Sequence, residues 1–214
     1  MSFTVADVVL EARELLLDET EPYRYSDTFI VRKVNQVLRR MVQARPDLFT
    51  AVGTITTVAG SLQTCPSDSY RLMDVALNGA NRVPKEVNQD VLDLMFPSWN
   101  TGGTGATTNW MRYQRDANRF YVYPPSAGGE TLTVAYAKTP GVLGADDVVP
   151  VQDAFQPTVL DGTCWLMESL DAEHVESGRA KMFKDAFETS LVSSLGTRRI
   201  TDSDEGAMPE TEVK

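Results

Sequence analysis

Apolar residues recur at helical spacing near the beginning of the chain. Residues 5–16 place an apolar side chain every three or four positions, and residues 30–41 repeat that pattern, which predicts two amphipathic helices. Thr4, with Asp7 three residues later, predicts an N-terminal capping box for the first helix. Pro46 should end the second helix, since proline cannot continue the hydrogen-bond ladder.

The helical period gives way to β-type sequence between about residues 50 and 136. Short runs of β-branched and aromatic residues are separated by Gly, Asn and Pro, which is typical of strands joined by turns. Asn78-Gly79 predicts a hairpin turn, and Asn88 can cap a short helix over residues 88–96. We therefore expect a small antiparallel β sandwich or barrel in the middle of the chain.

Helical periodicity returns after Pro150, and the last helix is expected over residues 172–195. Gly196 is placed to end it as a C-terminal glycine, and the acidic, polar segment that follows is expected to be a flexible tail. The predicted fold is α+β, a helical bundle formed by the N- and C-terminal helices with an inserted β lobe. The predicted boundaries are residues 1–49 and 146–195 for the bundle, 50–145 for the lobe and 196–214 for the tail.

Charge is unevenly distributed in a chain whose formal net charge is -10. Residues 22–49 carry six Arg or Lys against two Asp, whereas residues 151–214 carry thirteen Asp or Glu against six Lys or Arg. Such an acidic protein should bind DNA weakly and without sequence preference. The basic side of the second helix, with Arg32, Arg39 and Arg40, could touch DNA phosphates or an acidic surface of a neighbouring subunit, and the second interpretation suits an assembly protein.

The residues needed for most enzymatic chemistry are scarce. His174 is the only histidine, and Cys65 and Cys164 lie far apart without a metal-binding spacing. We therefore expect no enzyme activity, cofactor or metal, and no apolar run reaches the ~18–20 residues that a membrane span requires. Six aromatic residues could instead bind a glycan, or half of them could fill the core of the β lobe, namely Trp99, Trp110, Tyr113, Phe120, Tyr121 and Tyr123.

Several short motifs occur together in a characteristic order. They are Ala12-Arg13-x-Leu15-Leu16-x-Asp18, Arg24-Tyr25-Ser26-Asp27, Asn35, Arg45-Pro46-Asp47-Leu48-Phe49, Leu72-Met73-Asp74-Val75, Asn78, Leu92-Asp93, Pro97-Ser98-Trp99 and Arg119-Phe120-Tyr121-Val122-Tyr123-Pro124-Pro125. In their order and spacing, over roughly residues 8–195, the chain resembles the phage head-to-tail adaptor family of short-tailed phages. That group includes the T7-like tail tubular proteins A.

The resemblance implies a structural virion protein at the head–tail junction, assembled in the host cytoplasm. Adaptors of this kind form a ring of twelve copies beneath the portal protein, extend the DNA channel and carry the tail nozzle and fibres. It also implies structural roles for the motif residues, with Pro124-Pro125 ending a strand. The alternatives are another neck or tail component, such as a stopper or tail-completion protein, and a carbohydrate-binding module.

The C-terminal tail is a second candidate contact surface. It contains little bulky apolar sequence, so it should order only on binding a partner. We expect it to act as an arm that docks on the portal, with Arg198 and Arg199 as charge contacts and Ile200 and Met208 as small apolar anchors.

Overall fold

The structure, a computed structural model, describes residues 2–169 and 177–204, and the side chains at 2–169 and 178–192. Two short 3₁₀ turns lie at Pro46–Phe49 and Asp153–Phe155. The helices and strands follow in this order: α1 Val5–Leu16, α2 Asp27–Ala44, β1 Thr50–Thr56, β2 Gly60–Thr64, β3 Ser69–Leu77, β4 Lys85–Glu86, α3 Gln89–Met95, β5 Asn109–Arg112, β6 Arg119–Ser126, β7 Thr131–Lys138, α4 Gln156–Glu168 and α5 Ser177–Asp204.

The chain divides into two compact units. One, the helical unit, consists of Met1–Ala44 with the chain from Val142 onward, and the other, the β unit, is Arg45–Gly141. The described elements are helices in the first unit and two sheets with one short helix in the second. The predicted α+β fold with an inserted β lobe is confirmed.

The helical unit brings the two ends of the chain together. Helix α4 contacts α1, α2 and α5, so the N- and C-terminal helices share one core, as their apolar faces predict. The helices pack closely at Gly162, since a Cβ atom there would lie 2.9 Å from the Phe187 ring and 2.9 Å from Val37. The predicted capping box is also present, with the Asp7 N–H donating to Thr4 Oγ1 and the Thr4 N–H donating to the Asp7 carboxylate.

The β unit is a sandwich of two sheets. A three-stranded antiparallel sheet has the order β1-β7-β3, and a four-stranded sheet has the order β2-β6-β5-β4, in which β4 runs parallel to β5. Both sheets contribute to one apolar core, with Leu72 and Val134 from the first and Trp110 and Phe120 from the second. The inner faces of the two sheets therefore pack against each other, and alternate side chains of their strands are buried between them.

Two turn predictions in the β unit are wrong. Asn78-Gly79 does not close a hairpin, since the strands before and after it belong to different sheets. The Asn78 side chain instead accepts the N–H groups of Ala80 and Arg82 and donates to the Thr107 carbonyl, so it shapes a wider loop. Pro124-Pro125 also does not end a strand, because β6 continues through Ser126.

The predicted end of the last helix is wrong as well. Helix α5 continues past Gly196 through Asp204. A glycine inside a helix lowers helix stability by only about 1 kcal/mol relative to alanine, so a helix can continue past a glycine when the neighbouring residues favour it. His174 and Met208 lie outside the described residues.

Candidate assembly interface

Helix α2 presents a basic stripe on its exposed side. Arg32 and Arg39 are exposed and lie seven residues apart, two helical turns along the same face. Arg40 is exposed beside them, and Lys33 is half-buried between them. On the opposite side the apolar residues Val34, Leu38 and Met41 are completely buried, so core packing fixes the direction in which the cations point.

The positive charges of the stripe act on one another. Desolvation, together with the charges of Arg32 and Arg40, lowers the pKa of Lys33 from its usual value. Arg40 also has a partner within its own subunit, because its guanidinium lies 4.7 Å from the centroid of the Trp165 ring. Arg32 donates to the Thr28 carbonyl, and its guanidinium lies 5.9 Å from the centroid of the Phe29 ring. Neither Arg32 nor Arg39 forms an ion pair with any side chain that the structure describes, so no described carboxylate of the subunit neutralises either charge.

Helix α1 carries the opposite charge on its exposed side. Asp7, Glu11 and Glu14 lie four and three residues apart and form one acidic stripe. Asp7 caps the helix, and its hydrogen bonds with Thr4 lower the pKa of its carboxyl group. Glu11 accepts a 2.6 Å hydrogen bond from the Gln156 amide. The helical unit therefore has a basic stripe on one helix and an acidic stripe on another.

The acidic surface expected from the C-terminal composition is not found in the described part of α5. Its side chains between 178 and 192 include two acids, Asp185 and Glu188, against three cations, Arg179, Lys181 and Lys184. Lys184 also pairs with Glu188 at 3.7 Å. Among the described helices of the helical unit, α1 carries three acids on one face, which the composition alone did not indicate.

The motif residues near the N-terminus form one polar network around the buried side chains of Arg13 and Asp18. Arg13 donates to the Asp18 carboxylate at 2.9 Å, to the Asp27 carboxylate at 2.5 Å and to the Tyr25 carbonyl at 2.8 Å. The Asp18 carboxylate also accepts the N–H groups of Arg24 and Tyr25. Two motifs that are separate in the sequence thus fix the connection between α1 and α2, which is a structural role.

Other motif residues also hold backbone segments in place. Asn35 donates to the Leu143 carbonyl and accepts the Leu143 N–H, both within 2.9 Å, and so fixes the returning chain against α2. Arg45 binds Asp47 through two hydrogen bonds of 2.9 and 2.7 Å. Arg13, Asp18, Asn35 and Arg45 therefore hold backbone segments and connections in place, which is a structural role.

Half of the aromatic residues considered for glycan binding are buried. Trp110 and Phe120 are completely buried in the sandwich core, and Trp99 is 5% exposed, with its indole N–H donating to Asp93. Tyr113 and Tyr121 remain partly exposed and line a shallow groove. Burial therefore accounts for both tryptophans and the phenylalanine of the cluster, and this weakens the carbohydrate-binding alternative.

The sequence profile of the SU10 adaptor protein family matches residues 3–210. The chain belongs to this family. It is a phage adaptor with a structural role at the head–tail junction of the virion, associated with portal and tail components. The chain matches no curated protein sequence, and its likeness to the T7-like tail tubular proteins A stays a prediction.

Two further features of the adaptor bear on the predicted sites. Burial raises the pKa of the Cys65 thiol to about 11 and that of Cys164 to about 12, so both are poor nucleophiles, and neither forms a disulfide. No described helix is both long and apolar enough to cross a bilayer. Arg198, Arg199 and Ile200 fall within the last turns of α5, beyond the described side chains.

Proposed function

We propose that the adaptor assembles as a ring of twelve copies beneath the portal, extends the DNA channel and carries the tail nozzle and fibres. The family match over residues 3–210 supports the adaptor role over a stopper or tail-completion protein. The copy number and the position beneath the portal follow from the resemblance to adaptors of short-tailed phages.

The observation that carries the ring is the pair of opposite stripes in the helical unit. A ring needs an interface between two different surfaces of the same chain. The basic stripe of α2 and the acidic stripe of α1 are two such surfaces, and their members are exposed in the single subunit except for Lys33 and Glu11, which are half-buried. We infer that the basic stripe of one copy faces the acidic stripe of the next. Charges of this kind mainly set the rate and register of association.

The test reverses the charge of Arg32 and Arg39 together. The variant R32E/R39E should keep its circular dichroism spectrum, because both side chains are exposed, and should assemble on the portal roughly 10-fold more slowly at low salt. The matched control R82E/R115E makes the same change in net charge at two exposed positions of the β unit. Assembly would be followed by native mass spectrometry of mixtures with purified portal.

Three results are informative. Slow assembly of R32E/R39E, with normal assembly of the control, supports the interface between α2 and α1. Equal rates for wild type and both variants would show that the stripes do not meet. A wild-type chain that does not bind the portal at all would contradict the position of the ring.

We further propose that the C-terminal segment docks on the portal through Arg198, Arg199, Ile200 and Met208. Many weak copies in a ring act together, so even ~1–2 kcal/mol per copy gives a stable joint through effective concentration. Truncation after Leu195 should reduce the helical far-UV signal only by the share of the α5 residues 196–204 that it removes, and should weaken portal binding strongly. If the truncated chain binds the portal as tightly as the full chain, the C-terminal segment does not contribute to portal binding.

A further inference from the structure

The β unit has four outer strands, two for each sheet. The sheet orders β1-β7-β3 and β2-β6-β5-β4 leave β1, β3, β2 and β4 at the edges. An edge strand offers unpaired N–H and C=O groups with which another extended chain can pair, and natural proteins usually prevent this with short, charged or bulged edges.

Three of the four edges have these protective features. Strand β3 shifts its register against β7 at three places and carries exposed Arg71 and Asp74. Strand β2 has five residues and a register shift between Gly60 and Leu62. Strand β4 is two residues long, and both of them, Lys85 and Glu86, are charged.

Strand β1 has none of these features. Its seven residues, Thr50–Thr56, pair with β7 without a register shift and include no charged residue and no proline. Val52, Thr54 and Thr56 are exposed, and Val52 is 70% exposed. Exposed β-branched residues on an uninterrupted edge are favourable for adding another strand.

The backbone groups that face outward follow from the register. The Thr57 N–H donates to the Glu130 carbonyl, and bonded pairs alternate along an antiparallel ladder. In the same register, Ile55 with Leu132 and Gly53 with Val134 are then bonded pairs. The N–H and C=O groups of Val52, Thr54 and Thr56 therefore point away from β7, and no described residue forms a hydrogen bond with them.

We infer that the β1 edge receives an extended strand from a tail component of the virion. A second copy of this chain does not fit, because two β1 edges paired with each other form a two-fold interface that closes at a dimer and leaves no ring. The edge of β3 is nine residues long, but its three register shifts and its exposed Arg71 and Asp74 disfavour pairing with β1 of a neighbouring copy. The edges of β2 and β4 are shorter than β1. This reasoning rests on the proposed function, in which the ring forms beneath the portal and the C-terminal segment binds the portal. A tail protein is then the remaining partner for the β1 edge.

The exposed face beside the edge indicates the chemistry of that strand. Val52, Thr54 and Thr56 lie beside Thr133 of β7, and none of these four side chains is charged. Main-chain hydrogen bonds would supply the affinity, and alternate small or β-branched side chains would pack on this face. No charged partner residue is required there.

The test is a proline at one outward-facing N–H. Thr54→Pro removes that donor and leaves the β7 bonds of Gly53 and Ile55 intact, which edge strands tolerate. Thr54→Val is the matched control, because it keeps the N–H group and the β-branched shape. Each variant would be assembled on the portal and titrated with the purified tail proteins of the same phage. We expect Thr54→Pro to bind them at least 10-fold more weakly, and Thr54→Val to bind like wild type.

Hydrogen exchange on the wild-type chain gives an independent measurement that does not depend on the folding of a variant. The amides of Val52, Thr54 and Thr56 should exchange at least 10-fold more slowly once tail proteins are bound. Protection of these amides in the ring alone would identify a second copy, and protection on portal binding alone would identify the portal. Either result, or unchanged exchange with tail proteins bound, overturns the inference.

The same exchange experiment with tail proteins and the free chain separates this inference from the proposed ring. A chain that fails to bind the portal but gains protection at β1 from tail proteins would contradict the proposed position and support the edge. A chain that forms the ring on the portal but gains no protection at β1 from tail proteins would support the proposed ring and contradict the inference about the β1 edge.

Discussion

Gly162 tests the packing of the helical unit most sharply. It lies in α4 with α2 on one side and α5 on the other. An added Cβ atom would lie 2.9 Å from two ring atoms of Phe187 and 2.9 Å from Cγ1 of Val37. Both neighbours are buried, Phe187 at 4% exposure and Val37 at 0%, so neither can turn into solvent to make room.

The magnitude of Gly162→Ala follows from two opposing effects. Alanine favours the helix by about 1 kcal/mol relative to glycine. Overpacking a tight core typically costs about 1–3 kcal/mol, and contacts on two different helices place this position at the upper end. We expect a net loss of about 1–2 kcal/mol in the free energy of unfolding. For a unit of roughly 100 residues this lowers Tm by about 5–10 °C.

The assay is thermal unfolding followed by circular dichroism at 222 nm, where the helical unit dominates the signal. Gly178→Ala is the matched control, because Gly178 lies in the first turn of α5 and no described atom lies within 4 Å of an added Cβ. The control should be as stable as wild type or slightly more stable. If Gly162→Ala is as stable as the control, α2, α4 and α5 do not pack as closely as described.

Three further changes test the polar network, the connection at Asn35 and one half-buried carboxyl group. Arg13→Met should cost about 3 kcal/mol in a urea titration, because it leaves the buried Asp18 carboxylate without its cation. Asn35→Ala should cost about 1–3 kcal/mol in the same titration, since it leaves the N–H and carbonyl of Leu143 without that partner. Burial raises the pKa of Asp161 in the folded protein above its value in the unfolded chain. The fold therefore loses stability as the pH rises from the pKa of the unfolded chain to that of the folded protein, because the carboxyl group must ionise while it is half-buried. Asp161→Asn should therefore raise Tm at pH 7 and change it little at pH 3, and an equal gain at both pH values would contradict that explanation.

The local signals near the N-terminus were sufficient to predict the first helices. The Thr4–Asp7 capping box and the apolar stripe of α2 are both present, because each depends on residues within two or three turns of one another. Asn88 likewise caps the short helix α3. Such short-range patterns can be predicted from sequence, since no distant partner is needed to satisfy them.

The failed hairpin prediction depended on a distant partner, and the failed helix end depended on a residue that fits two positions. Asn78-Gly79 is favourable for a hairpin, but Asn78 is held by Thr107, 29 residues away, and the flanking strands enter different sheets. Gly196 can end a helix or lie within one, and its own identity does not decide between them.

The candidate interface was predicted only in part. The sequence placed Arg32, Arg39 and Arg40 on one side of the second helix, but it could not show that Arg40 lies over Trp165 of α4, 125 residues later. The acidic partner surface was expected near the C-terminus because acids are numerous there, and this stays a prediction, since eight of the thirteen acids between residues 151 and 214 lie outside the described side chains. The structure shows the acidic stripe on α1, where three carboxylates share one helix face and the nearby Arg13 is buried.

The most direct test of the adaptor role is electron cryomicroscopy of the purified chain mixed with its portal protein. The account predicts a closed ring of twelve copies on the portal, with α2 of each copy against α1 of the next. A complex without a ring, a ring joined through other surfaces, or a chain that stays unbound would contradict it.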